Sequence, residues 1–176
     1  MFATNLWKIV RRNYGSLVEE TGVGSPASEI SVAAFFGAVP ILLGSWFGYA
    51  IPIWTGFIGS LVPVVGVLTG FSINSIVLLS GQSDEDSYEQ RKAAIRQTKD
   101  FSLYSILVGI VLLSALTVGF LLAKANPGAQ IVIFDTVVTA LQIASVAVYT
   151  ILIHYLIVLL LITHRLFTMV HIDAVG

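Results

Sequence analysis

Residues 101–123 read FSLYSILVGIVLLSALTVGFLLA, twenty-three positions without one charge, closed by Lys124-Ala125-Asn126-Pro127-Gly128. At 1.5 Å per residue such a helix is ~34 Å long, enough to cross a hydrocarbon core of ~30 Å. The Asn-Pro-Gly that follows ends the helix in a turn. Upstream, Ser31 to Ser80 is also free of charge and is broken once, at Gly48-Tyr49-Ala50-Ile51-Pro52. That break predicts two spans, 31–50 and 53–80, joined tightly enough to lie side by side as an antiparallel hairpin. Downstream, 131–166 predicts a fourth helix of ~54 Å, longer than a bilayer requires, which must tilt or project. The expected fold is therefore all-α: a polytopic membrane protein with four transmembrane helices.

Composition agrees with this reading. Of 176 residues, 56% are hydrophobic and only 11% charged, a balance foreign to soluble domains. Cysteine is absent, which excludes disulfides, thiolate nucleophiles and thioether or thioester lipid anchors. A net charge of −1 argues against direct nucleic-acid binding, which needs a basic excess.

Placing the charges orients the chain. Lys8, Arg11 and Arg12 precede the first span; Arg91, Lys92, Arg96 and Lys99 lie between the second and third; Arg165 follows the fourth. Only Lys124 falls on the opposite side, so the positive-inside rule puts both termini in the cytoplasm of an inner or plasma membrane. Of the 19 charges, 17 then lie on one face of the membrane, leaving Lys124 and Asp135 on the other.

Residues 1–29 read as a cytoplasmic amphipathic helix and linker. Phe2, Leu6, Ile9, Val10, Tyr14 and Leu17 share one face, and Lys8, Arg11 and Arg12 the other. Such a helix either anchors the bundle at the inner leaflet or docks a partner. No signal peptide is expected, since Arg11-Arg12 is followed by Glu19-Glu20 and not by an apolar run. Residues 30–176 read as one transmembrane domain with a cytoplasmic helical segment at 82–100. There the acids Asp84-Glu85-Asp86 start a helix and Arg91, Lys92, Arg96 and Lys99 come later, compensating its dipole. With no Pro or Gly from Asp84 to Val108, the third helix should extend ~20–25 Å into the cytoplasm as one rod. Its charges are either a solvated face or a surface for a cytosolic protein partner.

Within the membrane two patterns stand out. Gly44 and Gly48, Gly66 and Gly70, and Ala115 and Gly119 repeat small residues four apart, faces on which helices approach closely within one protomer or between protomers of a homo-oligomer. On the predicted fourth helix Asp135, Thr136, Thr139, Gln142, Tyr149, Thr150 and His154 fall in an arc of roughly 140° at 100° per residue. This polar stripe should face helices, a subunit interface or a water-filled path, because Gln and His are costly against lipid. His154, the ionisable side chain deepest in the span, is either a proton-linked switch or a neutral imidazole bonded to a neighbouring helix. Asn74 reads as interhelical glue or pore lining. His164, His171 and Asp173 match no closed ligand set, so no metal and no cofactor is expected. HExxH, GxSxG and Walker patterns are missing, and the chain is expected not to be an enzyme. Pro40 and Pro63 should kink or loosen the first two spans.

The Gly-rich second span ending in Ser80-Gly81, the charged helix carrying Arg91-Lys92 and Arg96 into span three, and the aliphatic fourth span closing on His164-Arg165-Leu166-Phe167 form a recognisable layout. Over about residues 30–167 it resembles the small four-span membrane proteins of phage-defence and phage-exclusion loci, of the RexB and Kiwa types. The resemblance is one of arrangement and supplies no site residues; it implies a membrane effector or sensor in antiviral defence, coupled to a cytosolic partner. Three functions follow as expectations. The first is a homo-oligomeric, non-enzymatic sensor or pore-forming effector; the second is a scaffold recruiting a partner through 82–100; the third is a small transporter or channel subunit.

Overall fold

The computed structural model describes residues 34–81, 89–125, 128–133 and 136–175. A π-helical turn, Ala34–Ala38, leads into α1 (Val39–Ala50). Helices α2 (Thr55–Gly81) and α3 (Glu89–Ala125) follow, then strands β1 (Gln130–Ile133) and β2 (Thr136–Thr139) and helix α4 (Ala140–Val175). Three stretches, Thr55–Ser80, Ile95–Ala125 and Ala140–Phe167, are long and apolar enough to cross a membrane, and Ala34–Ala50 is a shorter apolar helix. The expected amphipathic helix at 1–29 and the acidic helix start at 84–86 lie outside the described residues. From Glu89 onward, α3 runs without interruption through the charged segment and into the apolar one.

The helices pack in the lateral order α1, α4, α3, α2. The expected hairpin of the first two spans is thus not formed: α1 packs on α4 and α2 on α3. The reason lies in the linker. Ile53 is 1% exposed, its side chain fills the space left by the missing Cβ of Gly119, and its N–H donates to Ser145 Oγ at 2.9 Å. The linker is therefore pinned across the ends of α3 and α4, and a short connection in sequence carries the chain over two helices.

The fourth helix is also displaced. Strands β1 and β2 pair antiparallel, Gln130 with Thr139 and Ile133 with Thr136, so the fold is not purely α. Its β-branched runs, Ile131-Val132-Ile133 and Thr136-Val137-Val138-Thr139, suit a strand better than a helix start. Helix α4 has 36 residues, the length expected from the sequence, but begins nine residues later.

Side chains are distributed inside-out relative to a water-soluble bundle. Val65, Leu112, Leu116, Val148, Tyr155 and Ile162 form the fully buried centre. Alongside them Ser72, Ser75, Thr98, Ser102, Ser105 and Ser145 are buried, while Trp46, Val67, Leu78, Leu121, Leu160 and Phe167 are exposed. In hydrocarbon this is the favourable arrangement, since apolar surface costs nothing outside and these hydroxyls, Ser102 excepted, find partners inside.

Candidate functional site

Pro40 sets up the centre of the site. It has no N–H, so the Phe36 carbonyl one turn earlier lacks its α-helical donor, and the π-helical turn at 34–38 accommodates the ring. His154 of α4 supplies the missing donor: its Nδ1 lies 2.9 Å from Phe36 O. A carbonyl only accepts, so Nδ1 carries the proton, and in the neutral ring Nε2 then accepts from the Tyr104 hydroxyl of α3 at 2.8 Å. One imidazole thereby ties α1, α4 and α3 together. The transmembrane proline and the buried histidine are two halves of one arrangement. Between α1 and α3, over this bridge, lies a cleft of about 410 Å³ walled by Pro40, Ile41, Leu107 and Val111 with Thr150 and His154 at its base.

The rest of the expected stripe disperses. Asp135 lies outside the described residues, and Thr136 and Thr139 belong to β2. Thr139 and Gln142 form a capping box on α4: Thr139 N–H and Oγ–H donate to Gln142 Oε1 at 2.9 and 3.1 Å, and Gln142 N–H donates to Thr139 Oγ1 at 3.1 Å. Tyr149 joins an aromatic group, 6.1 Å from Phe47 and 5.6 Å from Phe57 between ring centres. Thr150 packs under Gly44. Among the described residues, Thr139, Gln142 and Tyr149 thus go to separate local partners, while Thr150 shares the cleft between α1 and α3 with His154.

The small-residue pairs also separate. A Cβ on Gly44 would lie 2.5 Å from Thr150 N, and one on Gly48 would lie 2.8 Å from Ser145 C; both glycines admit the backbone of α4. Gly119 admits Ile53, and Ala115 is half-buried against the core. Gly66 and Gly70, by contrast, have nothing within 4 Å of a Cβ. Asn74, one turn further along the same face of α2, is exposed, as are Pro63 and Ile73.

Several polar contacts escaped the sequence reading. Thr69 Oγ1 meets Tyr155 Oη at 3.0 Å and Ser72 Oγ meets Ser105 Oγ at 3.0 Å, joining α2 to α4 and to α3. Gly109 makes room for Thr69 and Tyr155. Hydroxyls at Thr98, Ser102 and Ser105, continued by Gly109, form a single helical face that the spacing already marks. Arg165, expected at the helix exit, is only 6% exposed. It donates to Gln97 Oε1 and lies with Cζ 4.6 Å from the centre of the Phe101 ring. Of the expected partner surface, Arg91 and Lys92 fall in the first turn of α3, Arg96 is exposed and Lys99 is half-buried.

Comparison with protein-family profiles, with characterised proteins and with solved structures finds no match.

Proposed function

We propose that the chain is a non-enzymatic, homo-oligomeric integral membrane protein of the cell membrane, with four spans and both termini cytoplasmic, acting as a sensor or pore-type effector. The observation that carries the reading is the outward face of α2. Gly66 and Gly70 meet no neighbour in the protomer, and Asn74 is exposed beside them. An amide facing lipid is costly, and a glycine face in hydrocarbon gains nothing unless another helix approaches it. A second copy of α2 answers both. The resemblance to phage-defence proteins supports a role in antiviral defence, with a cytosolic partner.

The test is native mass in nanodiscs, with ion flux in liposomes. The wild-type chain should run as a closed oligomer, and Gly66→Leu with Gly70→Leu should reduce it to protomers and abolish flux. A wild-type protomer in nanodiscs would overturn the reading. A second reading, a scaffold, draws on the charged extension of α3, whose residues 89–100 add ~18 Å beyond the apolar span. Charge reversal at Arg91, Lys92 and Arg96 should then release a co-purifying cytosolic protein without affecting membrane insertion.

A further inference from the structure

Of the seven buried polar or charged residues among those described, five lie on α2 (Ser72, Ser75) and α3 (Thr98, Ser102, Ser105), and Ser72 meets Ser105 where the two helices pack. Within this seam Ser102 is anomalous. Eight other hydroxyls, those of Ser60, Ser72, Ser75, Ser80, Ser114, Thr117, Ser145 and Thr163, donate to the carbonyl four residues earlier. Ser102 does not: its Oγ is buried and no protein group among the described residues is a partner. A buried hydroxyl without a protein partner in a polar seam gains one when water enters.

We propose that the α2–α3 seam, closed to water in this packing, is a vestibule that admits water from the charged end of α3 when α2 parts from α3, as far as the Thr69–Tyr155 bond. Three observations carry it. Ser102 is two residues from Asp100, ~3 Å along the axis, so the aqueous end is near. Hydroxyls both donate and accept, which suits water better than an ion, and none of the buried side chains described in the seam is a carboxylate. Above the seam, Gly109 brings Thr69 and Tyr155 together, and the fully buried Val65, Leu112 and Leu116 form a dry layer beyond. Within the protomer α2 packs chiefly on α3 and, apart from the Thr69–Tyr155 bond to α4, exposes Val62, Val67, Phe71 and Val77 on its other faces, which leaves it free to part from α3 below that bond. The vestibule rests on the membrane-spanning reading and not on conduction. It is distinct from the α4 stripe, for which a water-filled path was one of three readings.

The natural chain has no cysteine, so single-cysteine variants report directly. Ser102→Cys, Ser105→Cys and Leu112→Cys are exposed to a charged, membrane-impermeant methanethiosulfonate in unsealed membranes, where it reaches both faces. Only a hydrated thiol ionises and reacts. Ser102→Cys and Ser105→Cys should be modified at least tenfold faster than Leu112→Cys. Protection of all three would overturn the vestibule alone. Rapid modification of Leu112→Cys would instead strike at the membrane-spanning reading. On the unsubstituted chain, amides of 98–105 should exchange with deuterium at least tenfold faster than those of 110–118, and equal protection there would also overturn the proposal.

Discussion

The same GxxxG spacing should have opposite consequences in α1 and α2, and alanine substitutions separate them. At Gly48 a Cβ would be driven into the backbone of Val146 and would lie 2.8 Å from Ser145 C. No side-chain rotation relieves a clash with backbone, so α1 must retreat from α4 by roughly 1 Å, and overpacking of this kind costs ~1–3 kcal/mol, occasionally more. Replacing Gly by Ala in a helix returns ~1 kcal/mol of propensity. The net loss for Gly48→Ala is then up to ~2 kcal/mol, or more where the backbone cannot yield. At ~2–4 °C per kcal/mol for a chain of this size, that lowers Tm by about 4–8 °C. Gly44→Ala should act alike, but the double variant should lose less than the sum, because one retreat of α1 relieves both clashes. At Gly66 and Gly70 a Cβ meets nothing, so alanine should leave protomer Tm unchanged or raise it, while weakening self-association. Thermal unfolding of detergent-solubilised protein followed by circular dichroism measures the first effect, and native mass in nanodiscs the second. Equal Tm for Gly48→Ala and Gly66→Ala would refute the reasoning.

Two further predictions concern polar contacts. His154→Leu removes the donor to Phe36 O and should destabilise the fold by about 1–3 kcal/mol. Pro40→Ala restores an intrahelical N–H to that carbonyl, so the double variant should recover part of the loss; a double-mutant cycle with no coupling, read by thermal unfolding, would dissociate the two residues. Gln142→Ala should cost about 1 kcal/mol by opening the capping box, lowering Tm without changing any ion flux in liposomes; lost flux at unchanged stability would return Gln142 to a conduit.

What was legible depended on contrast in the sequence. The uncharged blocks and the flanking Lys and Arg residues mark the helices sharply, and α2 and α3 lie close to where they were expected. The capping box was also legible, since Thr139 and Gln142 have the spacing of the motif, yet reading residues 131–166 as one helix across Asp135 and Thr136 concealed the hairpin before it. The partner of His154 was not legible. Phe36 offers only a carbonyl, and it is available because of Pro40, 114 residues away from the histidine.

From the sequence alone follow the helical, membrane-suited character of the chain, the length of its apolar blocks and the segregation of its charges. Each rests on the cost of placing a charge or an unpaired peptide group in hydrocarbon, which every residue reports independently. Tertiary structure alone decided the lateral order α1–α4–α3–α2, the close approach at Gly44 and Gly48 but not at Gly66 and Gly70, and the burial of the hydroxyl seam. In helices apolar on nearly every face, the hydrophobic pattern no longer distinguishes inside from outside. The choice then falls to close packing and a few hydrogen bonds between residues far apart in the chain: Ile53 with Ser145, Ser72 with Ser105, and His154 with Phe36 and Tyr104.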